Sequence, residues 1–419
     1  MSRLATHITA LLGIVSVAHV SAQEAMREML ANRPRPGASQ WENQDYTFKV
    51  KDLRVLVTPT FGVDYNDNIN ISNNGSNDDF ILRPAVNTSG IYPLTARNVF
   101  TFSVGVGYDQ YLKNEDYSGL NLSSGSGVSF DIGIGDFQIN LHDRFSYTQD
   151  AARQSAIVGN GQNNQYGTAQ NTVGISTTWD LGDVTLTGGY DHQNLMSTSQ
   201  TSEAYQSQDH SSEMFFQRAG LRLRRELTAG VEGSESLTAY DKRVLNNNRS
   251  YTAGVYADWQ PGDFSIQPRV GYSIFQYDQT SSTIETSSSD SWYADITARI
   301  PITKAISASV SGGHEVRLGI ESDAIETYYF RPGMSWGIIE GGSLHFGLSY
   351  ENGTQGVGNK LGNLAEKYDY YGANMGFDYQ ITKRLTGSLS YRATLRSSDG
   401  ANRDYTQNMV SLQLSYPLR

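Results

Sequence analysis

The chain has 419 residues and no cysteine, so disulfides and thiolate-bound metals are excluded. It also lacks long hydrophobic runs. Beyond Ala22 no stretch approaches the roughly 20 apolar residues that a spanning helix requires, which excludes a helical membrane protein. Positive charge is in deficit. The 32 Lys and Arg against 43 Asp and Glu give a net charge of −11, and so acidic a chain is a poor partner for nucleic acid. Histidine is sparse: past the leader only His142, His192, His210, His314 and His345 occur, in no spacing that assembles a Ser–His–Asp triad or a metal site. Phosphate loops and paired-carboxylate motifs are missing too. No enzyme chemistry and no cofactor are expected.

The N-terminus reads as a secretory signal over residues 1–22. Arg3 supplies positive charge, Ile8 to Val17 is mostly apolar, and Val20-Ser21-Ala22 offers small residues before Gln23. Residues 23–52 carry no strand pattern, and Arg33-Pro34-Arg35-Pro36-Gly37 marks an extended piece. This segment is expected in the periplasm or inserted in a lumen, and it is far too short for the plug domain of a siderophore receptor.

From Leu53 onward the chain alternates. Leu385, Gly387, Leu389, Tyr391 and Ala393 are apolar or small, and Thr386, Ser388, Ser390, Arg392 and Thr394 fall between them. A strand sends successive side chains to opposite faces, so one face suits hydrocarbon and the other water. About eighteen such stretches run from Leu53–Asn66 to Thr406–Tyr416. The gaps between them are sorted. Leu181-Gly182-Asp183, Pro261-Gly262-Asp263, Glu340-Gly341-Gly342 and Thr382-Lys383-Arg384 are turn-sized, whereas Asn66–Asp79, Gln149–Gly167, Asp191–Ser212 and Glu351–Lys367 are long and polar. A soluble sandwich has no reason to sort its loops. A transmembrane barrel does, with short periplasmic turns and long outer loops. The expected fold is therefore all-β: an antiparallel up-and-down transmembrane barrel of about 18 strands over residues 53–419, in a bacterial outer membrane.

The aromatics agree. Trp179, Trp259, Trp336 and Tyr379 fall on lipid parity just before short turns, and Tyr65, Tyr108, Tyr147, Tyr190, Trp292, Tyr328, Tyr350 and Tyr371 fall on the same parity beside long loops. Two girdles are what the two interfaces select, because these rings join an apolar body to a polar tip. The last strand alternates Val410, Leu412, Leu414 and Tyr416, like the signal read by the barrel assembly machinery, although the chain runs on through Pro417-Leu418-Arg419. Asp143 breaks the rule by falling on lipid parity between Leu141 and Phe145, and a bulge near His142 would turn it inward.

Gly62-Val63-Asp64-Tyr65-Asn66-Asp67-Asn68-Ile69 ends the first strand. The segment resembles the first hairpin of the β-barrel porin 2 family. That resemblance implies an outer-membrane barrel of the kind associated with exopolysaccharide systems, with polysaccharide as a partner and no catalytic residues. Read physically, Asp64, Asp67 and Asn68 offer oxygens to Ca²⁺ at the rim, or form an Asx-rich turn that ends a strand, the second being favoured.

On lumen parity, Arg83, Arg144, Arg218, Arg269, Arg331 and Arg392 fall near mid-height, with Glu232 and Asp295 at the same level and Asp64, Asp109, Asp258, Glu315 and Asp378 nearer the rims. Guanidiniums stay charged and grip carboxylate or phosphate at two points, so such a belt selects anions in a confined lumen. Arginines inside barrels also pair with acids to brace the wall. The expected function is a porin-like channel for diffusion or export of sugars, polysaccharide or small anions. The alternative is a structural or adhesive barrel with a closed lumen and binding loops. Outer-membrane lipid and lipopolysaccharide are the surrounding partners.

Overall fold

The computed structural model describes residues 45–148, 167–197, 209–282, 284, 286–319, 322–356 and 366–419. The expected signal peptide at 1–22 and most of the 23–52 segment lie outside the described residues.

A short strand β1 (Phe48–Val50) precedes the barrel strands β2 (Leu53–Asn66), β3 (Asp79–Pro93), β4 (Val99–Tyr111), β5 (Gly119–Ile134), β6 (Phe137–Thr148) and β7 (Thr168–Asp180). There follow β8 (Val184–Ser197), β9 (His210–Arg224), β10 (Leu227–Tyr240), β11 (Asn248–Trp259), β12 (Ser265–Tyr277) and β13 (Ser289–Pro301). The last are β14 (Ile306–Leu318), β15 (Ala324–Ile339), β16 (Gly342–Gln355), β17 (Glu366–Gln380), β18 (Thr386–Ser398) and β19 (Tyr405–Ser415).

Each barrel strand pairs antiparallel with its chain neighbours, and β19 pairs with β2 from Met409↔Asn66 to Ser415↔Thr60. The result is a closed barrel of 18 strands. Closure removes the open edges that a sheet otherwise leaves. The seam is finished at the short-turn end by two pieces. β1 pairs with Leu53–Val55, and Leu418 bridges Val57. The tail beyond β19 thus continues the sheet, and Arg419 Nη1 reaches Asp45 Oδ2 at 2.9 Å. The Phe48–Val50 strand is too short to leave an alternation in the sequence.

Burial is the reverse of a soluble protein's. Leu348 and Leu412 expose 61% and 50% of their surface outward, while Glu232 and Asp64 expose 5% and 7% inside. Only a hydrocarbon surround makes that arrangement favourable. Trp179, Trp259, Trp336 and Tyr379 form the outward girdle at the short-turn end, where Phe137 meets Trp179 edge-on at 6.4 Å. Trp292, Tyr328, Tyr350 and Tyr371 stand outward at the long-loop end, with Tyr350 and Tyr371 at 5.2 Å. At the short turns, Gly182 and Gly341 adopt φ of 89° and 72°, left-handed backbone that a side chain would strain.

Two details depart from the sequence expectation. The strands run further at the long-loop end: β8 reaches Ser197 rather than His192, and β16 reaches Gln355 rather than Tyr350. Alternation marks only the apolar belt. Above it both faces are polar, as in Asn352-Gly353-Thr354-Gln355, while the ladder of backbone hydrogen bonds continues. The second concerns Asp143. The bulge lies on β5, between Leu122 and Ser126, and β6 keeps its register. Asp143 stays on the outward parity, between the partners Val128 and Val173, and its Oδ1 accepts a 2.6 Å hydrogen bond from Asn171 Nδ2.

Among the described residues, loops at the long-loop end are tied to the strands and to one another. Asn68 Nδ2 donates to Ser72 O and Thr406 O, each at 2.9 Å, which ties the 67–78 loop to β19. Asn246 donates from N and Nδ2 to Asp323, both at 2.8 Å, and from Nδ2 to Ile284 O at 3.2 Å, so three loops share one buried knot.

Candidate functional site: the lumen wall

On some strands the inward row is mostly Ser, Thr and Gly, as in Ser307, Ser309 and Ser311 on β14 and Thr228, Gly230, Ser234, Ser236 and Thr238 on β10. Charged side chains interrupt this lining in clusters. Alternation sends them inward, and neighbouring strands bring opposite charges to the same level.

One cluster spans β9 to β13. Arg218 Nη2 lies 2.7 Å from Glu232 Oε2, and its guanidinium stacks 3.8 Å over the Tyr256 ring. Arg269 Nη2 lies 2.6 Å from Asp295 Oδ2, with Nη1 at 3.7 Å from Glu232 Oε1. Tyr293 Oη donates to Glu232 at 3.1 Å. Two guanidiniums and two carboxylates cancel. The acids Glu232 and Asp295, placed by the sequence at the arginines' level, are the ones that hold them.

A second cluster lies on β2 to β4. Arg83 Nε donates to Asp64 Oδ2 at 2.5 Å and Nη1 stands 2.7 Å from Asp109 Oδ2, all three buried. The third occupies β14 to β19. Arg317 is ion-paired with Glu351, whose Oε1 also accepts from Tyr368 Oη at 2.8 Å. Glu366 receives Arg396 Nη2 at 2.7 Å on one oxygen and Arg403 Nη1 at 2.5 Å on the other.

The remaining three belt residues are placed differently. Arg144 is half-buried on the inward row of β6. Arg331 is 39% exposed, stacks 4.8 Å over Tyr329, and stands only at 3.5 Å from Glu351 Oε2. Arg392 is half-exposed and makes no ion pair among the described residues. The six arginines thus do not form one uniform ring. Arg83, Arg218 and Arg269 are locked to acids, and Arg331 and Arg392 keep open faces.

Sequence reasoning passed over Arg317, Arg396, Arg403, Glu351 and Glu366. Most of them lie above the apolar belt, where strand ends are not marked by alternation. Inward parity counted up from the short turns was the available signal.

The rim oxygens do not share one shell. Asp64 is bound to Arg83, and Asp67 accepts from Asn408 N and Nδ2 at 2.6 and 2.7 Å. Asn68 N donates to Asn66 Oδ1 at 3.0 Å, the geometry of an Asx turn. Among the histidines, His345 meets Ser343 Oγ at 3.1 Å and Asp378 at 3.0 Å, both on Nε2. A relay needs the two partners on different ring nitrogens.

Similar solved structures carry the same architecture. Pseudomonas aeruginosa OccK2 (OpdF) in complex with glucuronate aligns with a TM-score of 0.51 at 10% identity, over 90% of this chain and 100% of that one. OccK2 without that ligand aligns with a TM-score of 0.50 at 11% identity, over 88% and 98%. No protein-family model matches the sequence, and no curated protein does. The fold defines the class: a closed antiparallel β-barrel of outer-membrane porin architecture.

Proposed function

We propose that this protein is an outer-membrane channel that passes small anions by diffusion, with its short turns in the periplasm and its long loops outside. The observation that carries this reading is the inner wall on β15 to β18. There Arg331, Asn374 and Ser390 all face inward and are exposed, so this sector borders open space rather than packed side chains. Eighteen strands enclose a wall about 35 Å across at a strand spacing of about 4.8 Å and a tilt near 40°. An open guanidinium at the wall favours anions over cations. The OccK2 neighbour was solved with glucuronate, a small carboxylate, which fits the same chemistry.

Lipopolysaccharide and outer-membrane lipid surround the barrel in this reading, and the β19 strand with Val410, Leu412 and Leu414 outward is the handle for the assembly machinery. The Gly62–Ile69 resemblance adds exopolysaccharide systems as a source of acidic sugars. A second reading, a closed structural barrel, draws on the knot of Asn246, Ile284 and Asp323 at the long-loop end.

Conductance in planar bilayers separates the two. Discrete steps with an anion-selective reversal potential are expected. A cation-selective pore, or no pore from correctly folded protein, overturns the channel reading.

A further inference from the structure

We infer that Arg331 and Arg392 flank a binding subsite for a hydroxylated carboxylate, a sugar acid, on the β15–β18 wall. The inference deepens the anion-channel reading and rests on it for its physiological setting.

The register sets the geometry. Phe330↔Tyr350 and Gly333↔Gly347 bracket Arg331, which places it level with Ser349. Ser349 pairs with Gly372, and one row nearer the short turns Gly347 pairs with Asn374, which pairs with Arg392. Arg331 and Arg392 therefore stand three strands apart, about 14 Å at the usual strand spacing. The wall between them is a floor of Gly347, Ser349, Gly372 and Asn374. None of these four carries a bulky side chain, and the Tyr370 ring borders the floor, 3.5 Å from where a Gly372 side chain would begin. A methyl on Gly347 would collide with Asn374 Oδ1, and a methyl on Gly372 would collide with Ser349 Oγ. The two glycines let these polar atoms lie flat against the wall, where they offer hydrogen bonds to a solute passing over them.

The charge of Arg331 is available because its acid is already taken. Glu351 is bound by the buried Arg317 and by Tyr368, and Arg331 reaches only its far oxygen at 3.5 Å. The Tyr329 ring supports one face of the Arg331 guanidinium at 4.8 Å, and the side chain stays 39% exposed. Arg392, with no acid among the described residues, is the second open guanidinium. By contrast Arg83, Arg218 and Arg269 spend their donors on carboxylates. A guanidinium fork at either edge of the floor grips a carboxylate, and Ser349 and Asn374 between them suit hydroxyls. A bare carboxylate uses the arginines alone. An uncharged sugar uses the floor alone. A sugar acid uses both.

The test measures equilibrium binding and conduction on the same detergent-folded protein, with heat-modifiable gel mobility as the folding check. Glucuronate should bind wild-type protein more tightly than acetate or glucose. Arg331→Ala with Arg392→Ala should weaken glucuronate at least tenfold, and Gly372→Ala should weaken glucuronate while leaving acetate unchanged. Glucuronate binding that ignores the double variant, or that acetate matches, overturns the subsite. Conduction separates the two readings. An anion-selective pore whose glucuronate binding ignores the variant loses the subsite only. A cation-selective pore that still loses binding in the variant keeps the subsite and sinks the channel reading.

Discussion

Arg218 and Glu232 stand directly opposite each other in the β9–β10 ladder, and their side chains meet at 2.7 Å inside the barrel. Glu232 is fully buried there, with Arg269 and Tyr293 on its other oxygen. One carboxylate thus joins side chains from β9, β10, β12 and β13 into a brace across the inner wall.

Removing that carboxylate leaves Arg218 and part of Arg269 without their counter-charge. Glu232→Ala is expected to destabilise the folded barrel by roughly 3–5 kcal/mol, the usual cost of breaking one side of a buried pair. Urea titration followed by heat-modifiable gel mobility measures it. A midpoint equal to wild type would show that the brace contributes nothing.

The barrel itself has a spectroscopic test. Purified protein in detergent should give a strand-dominated circular dichroism spectrum and migrate faster on gels when unheated. A helix-rich spectrum is incompatible with the fold.

Orientation follows from the sorted loops. Asn74 and Ser287 are exposed in long loops, and Asp183 and Asp263 are exposed at short turns beside positive-φ glycines. Cysteines at Asn74 and Ser287 should react with an impermeant reagent on intact cells, and those at Asp183 and Asp263 should react only after lysis. The opposite pattern reverses the barrel. Asn160 and Ser207, also expected outside, lie beyond the described residues.

Asp323 joins loops at the long-loop end, accepting from both Asn246 N and Nδ2 at 2.8 Å. Asp323→Ala strands two buried donors at a cost of about 1–3 kcal/mol. The loops should then be cut faster by protease on intact cells, with noisier single-channel current. Unchanged cleavage would mean that the knot does not hold the loops.

Much of this was legible in the sequence because the bilayer imposes simple rules. Leu53–Asn66, Phe137–Thr148, Leu227–Tyr240 and Ile306–Leu318 have the same bounds in the structure as in the alternation. There one face meets lipid, and a single polar residue on it stands out. Asp143 stood out for that reason. Its solution did not, because the bulge sits on the neighbouring strand and Asn171 comes from the next one.

The sequence by itself determined a count of about eighteen strands, the side of the sheet that most strand residues face, and the end of the barrel at which the long and short loops lie, since parity and turn length are local properties. Only the tertiary structure decided which arginines are spent and which are open. Arg218 and Arg331 are indistinguishable by parity and depth, yet one faces a buried glutamate while the other shares an acid that Arg317 already holds. That difference is set by the stagger between neighbouring strands, which places a side chain opposite its partner or a residue away from it. Stagger is a property of the closed sheet.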